Sequence, residues 1–177
     1  MTNQELELLK FPIGKFIKPD EITPFHIAKW ISVLQEFPNQ LEALVANLTN
    51  TDLEKTYRPN GWTIRQIVHH VADSHHHSYI RFKWAITENE PVIKAYNEAD
   101  WADLHDYNLP IDLSLMHVKV IHAKLVAFVK GISKEDFNRC FIHPETNSKV
   151  YLNENLGIYA WHSLHHLEHI KIALTTK

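Results

Sequence analysis

The sequence predicts an all-α fold: a four-helix bundle with a long crossover connection and a small extended or hairpin segment. Four stretches place apolar side chains at helical spacing, start and stop signals bound them, and the segments between them are too unequal for a plain up-and-down bundle.

Residues 1–22, with FPIGKF and Pro19, read as an irregular or briefly extended arm laid on the domain. Thr23-Pro24 then supplies a cap and a first helical position where proline's missing N–H costs nothing. Ile27, Ile31, Leu34, Leu41, Leu44, Val45 and Leu48 keep the helical period to about residue 48, and Pro38 is expected to kink this helix or divide it in two. Thr51-Asp-Leu-Glu54 can open one further turn.

In YRPNGWTIRQ, Pro59-Asn60-Gly61 is a turn, and Thr63 with Gln66 has the spacing of a capping box, so a second long helix starts at Ile64 and runs to about Thr87. Residues 88–111 carry two prolines and weak periodicity; they form the crossover, with one short helix near 97–104. Leu113, Met116, Val120, Ala123 and Ala127 give a third helix, ended by Gly131, and Ser133 with Asp136 caps a short turn. NRCFIHPETNSKVYL flanks a polar turn with apolar and aromatic residues, the pattern of a small hairpin. Asn153 can cap a last helix to about Leu174, with Leu156, Tyr159, Ala160, Leu164, Leu167 and Ile170 in its apolar set.

A chain of 177 residues with 45% apolar content is expected to fold as one domain, 1–177, with an ordinary core. Lys and Arg number 18 against 21 Asp and Glu, a formal charge of -3 without a basic stripe, which speaks against nucleic acid as a partner. Cys140 is the single cysteine, so no intrachain disulfide can form. A basic start followed by an apolar core is missing at the N-terminus, and no run reaches 18 apolar residues, so a soluble, cytoplasmic protein without membrane attachment is expected.

Histidine departs from expectation, with 14 in the chain. Positions 69, 70, 75, 76 and 77 lie on the second long helix, and 162, 165, 166 and 169 on the last. Residues four apart share a helix face, so His162 with His166, or His165 with His169, can aim two rings at one ion. Periodicity leaves the two pairs open. His70 can meet such a pair across the bundle, giving three imidazoles from two helices, a set suited to zinc, with nickel or iron as alternatives. Asp73, one turn from His70, could relay a proton or orient a ligand's second nitrogen. Against this, a single helical histidine is more often a surface or hydrogen-bonded residue, and most of the cluster must be solvent-facing or supporting. The isolated His26, His105, His117 and His122 are expected at the surface or in caps.

No HExxH, no paired ExxH, no GxGxxG, no P-loop and no GxSxG is present. Trp62 is expected as a staple or core anchor; Tyr79, Trp84, Trp101, Tyr159 and Trp161 could line a cleft, though most such residues are plain core. His143-Pro144-Glu145 is placed at the mouth of the pocket, or else is an ordinary turn. Cys140 beside Phe141 reads as a small buried hydrophobe.

YRPNGWTIRQIVHHVADSHHHSYIRFK, FIHPE and YAWHSLHHLEHI, taken together, resemble the DinB superfamily over almost the whole chain. The resemblance implies a DinB-like four-helix bundle with one divalent ion per subunit, held by His70, His162 and His166, and so decides between the two pairs on the last helix. It further implies zinc or nickel, a homodimer, and a small-molecule substrate for an enzyme that is a metal-dependent hydrolase. Other members of the superfamily are S-transferases acting with bacillithiol or mycothiol, so a low-molecular-weight thiol is the alternative ligand. A metal-binding stress or structural protein without activity is the third alternative.

Overall fold

The computed structural model describes residues 1–175; the last two positions of the expected domain lie outside the described residues. Helix α1, Asn3–Lys10, occupies the segment expected to be irregular. Thr2 and Glu5 cap each other's backbone, a box that the reading of the arm passed over, and none of its residues is buried. The chain then turns at Gly14, whose φ of +73° suits glycine, and Trp161 donates from Nε1 to the Gly14 carbonyl at 3.1 Å, fixing the arm to the body.

The bundle comprises α2, Pro24–Val45, α4, Ile64–Thr87, α6, Asp112–Gly131, and α7, Leu152–Thr175. A single turn, α3, Asn50–Leu53, precedes α4, and it is capped by Thr49 rather than Thr51. The crossover holds α5, Glu98–Ala102, and a 3-10 turn, His105–Asn108. Strands β1, Cys140–His143, and β2, Ser148–Tyr151, form the antiparallel hairpin, Cys140 opposite Tyr151. Helix α7 leaves β2 directly, one residue before the expected cap at Asn153.

Pro38 does not divide α2, which is continuous through it. The carbonyl of Leu34, which a helix would pair with the N–H at position 38, therefore has no intrahelical donor.

In cross-section α2 and α4 are diagonal, each packed against both α6 and α7. His69 meets Ser114 and His75 meets His122, so α4 and α6 run parallel; His70 meets His162 and Ser78 meets Asn155, so α4 and α7 run antiparallel. Parallel neighbours cannot be joined by a tight turn, which is why residues 88–111 are long. Two apolar clusters fill the bundle, one around Phe37, Leu41, Ile67 and Ile170, the other around Leu34, Phe82, Leu125 and Leu156. Gly157 lets α7 approach α2 closely: a Cβ there would stand 2.9 Å from the Trp30 ring. Among the described residues, no helix is long and apolar enough to cross a membrane.

Candidate metal centre

A polar seam runs between α4 and α7. His70, Ser74, Ser78 and Arg81 recur at spacings of four, four and three, which keeps them on one face of α4. Opposite them on α7 stand His166, His162, Tyr159 and Asn155. At one end of the seam Nε2 of His162 lies 3.2 Å from Nε2 of His70 and 3.1 Å from Nε2 of His166. His70 and His166 are buried and His162 is part-exposed. Three nitrogens each about 2.0–2.1 Å from one tetrahedral ion would stand about 3.3 Å apart, so the spacing fits a divalent cation.

The surrounding hydrogen bonds set which nitrogen of each ring carries its proton. Nδ1 of His122 lies 2.6 Å from the carbonyl oxygen of Leu34, which can only accept, so this Nδ1 is the protonated nitrogen. Nε2 of His122 then accepts from Nδ1 of His75 at 2.8 Å, and Nε2 of His75 accepts from Nδ1 of His162 at 3.0 Å. That leaves Nε2 of His162 as a bare lone pair. On the other side, Nε2 of His169 donates to the carbonyl of Lys10 at 3.2 Å, and Nδ1 of His169 faces Nδ1 of His166 at 3.4 Å as acceptor. Nε2 of His166 is again a lone pair. Two lone pairs 3.1 Å apart repel each other, and His70 can bring at most one proton between them. The donor set therefore suits a cation.

Burial favours the neutral rings. It pushes His70 down to about 4 and His162 and His166 well below the ordinary value, with repulsion among the rings adding to the shift of the last two. Protons thus compete little for these lone pairs at neutral pH. Trp62 packs on the core, as expected of an anchor, and also covers His70 with ring centroids 4.6 Å apart and stacks beside His166, so it is a wall of the site as well.

The three imidazoles open on a cavity of about 550 Å³, also lined by Arg58, Arg81, His143, Tyr159 and His165. His143 enters from β1; of His143-Pro144-Glu145, expected at the mouth of the pocket or else as a turn, it is the residue that lines the cavity. His165 lines the cavity but stands outside the triad, stacked on Trp161, while His169 backs His166. Asp73 is not brought to the triad. Its carboxylate accepts the Tyr107 hydroxyl at 2.8 Å and lines a separate cavity with His69, Ser114 and His117. At 100° per residue Asp73 falls about 60° to one side of His70 while Ser74, Ser78 and Arg81 fall to the other, so it stands on the flank that meets Tyr107 of the crossover.

His122 is a correction: expected at the surface, it is 1% exposed. It follows Ile121 and lies four residues after Val118, both in the core, so its position on the apolar face was a readable signal. Arg81 was also missed; its eleven-residue offset from His70 repeats a helix face.

Similar proteins match most of the chain. A protein of Oceanobacillus iheyensis with the provisional name metal-dependent hydrolase is 47% identical over 161 residues, 91% of this chain and 93% of its own. One of Bacillus cereus, provisionally named likewise, is 44% identical over 162 residues, 92% and 93% of the two chains. The solved structure of YfiT from Bacillus subtilis, described provisionally as a metal-dependent hydrolase with an unusual four-helix bundle topology, matches with a TM-score of 0.90 at 40% identity over 93% of this chain and 94% of that one. A mycothiol-dependent maleylpyruvate isomerase shares the fold at a TM-score of 0.66 and 16% identity, covering 84% of this chain and 63% of that one. The DinB superfamily profile matches residues 34–170, from the helix that frees the Leu34 carbonyl to the one that carries His162 and His166, and the chain is a member of that superfamily.

Proposed function

We propose that this protein is a metal-dependent hydrolase that binds one divalent ion through His70, His162 and His166, with zinc as the leading ion and nickel as the alternative. The observation that carries the reading is the convergence of three Nε2 atoms on one point at the wall of an open cavity. Relatives provisionally named metal-dependent hydrolases support it. A divalent ion held by these three residues would supply Lewis acidity and would lower the pKa of water toward neutrality.

The chain's own residues hold and orient. His75 and His169 support two of the ligand rings from behind. Trp62 and Phe11 exclude water from the flanks of the histidine cluster, packing against His70 and His165. In this proposal His143 carries the proton, since its Nδ1 is buried without a hydrogen-bond partner on the cavity wall and its nearest carboxylate, Glu145, is 4.0 Å away. A homodimer in the cytoplasm completes the proposal; sedimentation velocity on the tag-free chain tests the pairing.

The test of function is to load tag-free protein with zinc and, separately, nickel, and to screen it against esters and amides and against low-molecular-weight thiols paired with electrophiles. Acid and alcohol or amine products that disappear in His162→Ala support the hydrolase. Thiol consumption with proton release, and no hydrolysis, overturns it in favour of a transferase.

A further inference from the structure

Pro38 lies inside a 22-residue helix, where it removes one backbone donor. The carbonyl it releases is that of Leu34, and Nδ1 of His122 takes that oxygen at 2.6 Å from a different helix. From there an unbroken line of imidazoles crosses the core through His75 to His162. Phe37, one residue before the proline, stacks on His75 at 5.3 Å and packs on His122 at 5.1 Å, so the line is sealed on one side by an aromatic face. The second ligand histidine is anchored in the same way: His169 donates to the carbonyl of Lys10, the last residue of α1, where a helix end leaves its carbonyls without donors.

We propose that Pro38, His122 and His75 are positioning residues for the metal centre: the helix-freed Leu34 carbonyl orders the protons along His122 and His75 so that His162 always presents a bare Nε2. The inference rests on the proposed metal site. An acceptor-only group at one end permits a single proton order through neutral rings, and a backbone oxygen cannot rotate away as a carboxylate can. His162 is thereby committed to its ligand tautomer before any ion arrives.

Two-bond nitrogen–proton correlation spectra of the metal-free, full-length protein read the tautomers directly. The expected result is His122, His75 and His162 all protonated at Nδ1 and bare at Nε2; a proton on Nε2 of His162 overturns the proposal. His122→Phe should weaken zinc binding, read by chelator competition, by about 10–100-fold, with His122→Gln, which can both donate and accept, recovering part of it. Pro38→Ala, which returns a competing N–H to Leu34, should weaken it several-fold without loss of helix. Folded His122→Phe and Pro38→Ala proteins that bind zinc as the parent does also overturn it. If the parent spectrum shows the expected tautomers but the protein binds no divalent ion, the metal reading fails and the proton order stands.

A separate observation concerns the far end of the seam. Arg81 lines the same cavity, yet among the described residues it has no carboxylate within ion-pairing distance, its Nε is buried without a partner, and its one side-chain hydrogen bond is a 3.5 Å contact to the Tyr159 hydroxyl. Arg58 shares the wall and its Nε is likewise buried without a partner, but its Nη1 is already engaged by the carbonyls of Pro59 and Asn60, which ties that guanidinium to its own turn. Glu98, exposed on the same cavity, does not pair with either arginine. Arg81 begins three turns of α4 from His70, about 16 Å along the axis, and helical side chains lean back toward the N-terminus.

The geometry points to a substrate with an anionic group, a carboxylate first, held by Arg81 and Tyr159 while its reactive group lies at the triad. This also rests on the proposed metal site, but not on hydrolysis. Calorimetry with zinc-loaded protein should show monomethyl adipate binding more tightly than dimethyl adipate, and Arg81→Gln should weaken the monoester about 10–100-fold while leaving the diester and the zinc affinity unchanged. Equal binding of the two esters, or monoester binding indifferent to Arg81→Gln, overturns the subsite. Selective binding without ester cleavage would instead count against the hydrolase alone.

Discussion

Nδ1 of His162 lies 3.0 Å from Nε2 of His75, so a ring that faces the cavity with one nitrogen is held from the core by the other. Support of this kind makes the metal-binding arrangement a property of the folded chain rather than of the ion. His162→Ala should therefore abolish zinc binding while the metal-free protein keeps its helix content, and His165→Ala, outside the triad, should still bind one ion per chain. Circular dichroism and metal analysis on both variants check this; unchanged zinc content in His162→Ala would remove the basis for the site.

Acid should destabilise the metal-free protein early. Burial pushes His122 and His169 down to about 4, from an ordinary 6.5, so the unfolded chain binds these protons more readily than the folded one. Stability from keeping them neutral is complete above pH 6.5 and is lost as the pH falls toward 4, at up to about 1.4 kcal/mol per pH unit for each ring. Urea unfolding between pH 8 and 4.5 measures it. A flat profile from pH 7 to 5 would show that these rings are already protonated or not buried.

Asp73 and Tyr107 should behave as a structural pair. Tyr107 is buried and its hydroxyl donates to the Asp73 carboxylate, tying the crossover to α4. Tyr107→Phe should cost about 2 kcal/mol, and adding Asp73→Ala should cost much less than the two single changes together. Zinc affinity should stay at the parent value in all three, and a large loss in Asp73→Ala would restore it to the metal site.

His143→Gln should lower kcat with the zinc affinity kept, because the ring reaches the cavity from β1 and touches none of the three ligands. A pH–rate profile is the informative measurement, since loss of a proton carrier flattens one limb. An unaltered profile would remove His143 from the chemistry.

The bundle was legible because its signals are local. Thr63 and Gln66 marked the start of α4, two prolines and weak periodicity marked the crossover, and the polar ETNSK run marked the hairpin. Helix α1 was passed over because it is only eight residues long: Leu6 and Leu9 share one half-buried face, too short a stripe to read as a helix, and its capping box was the remaining signal. The composition of the triad could be drawn from clustering, but the choice of His162 and His166 over His165 and His169 came from family likeness, since both pairs share the helical spacing. The burial of His122 could be read from Val118 and Ile121, but its partner could not: that is a carbonyl released by Pro38 on another helix, a relation visible only once α2 and α6 are packed. Pro38 looked like a break and is instead the source of an acceptor.

The most direct test of the central claim is the metal content of full-length protein produced without a histidine tag, measured together with His70→Ala, His162→Ala and His166→Ala. One zinc or nickel ion per parent chain, and a loss of that ion in each of the three folded variants, is the predicted result. A parent that takes up no divalent ion, or variants that retain it in full, would contradict the account.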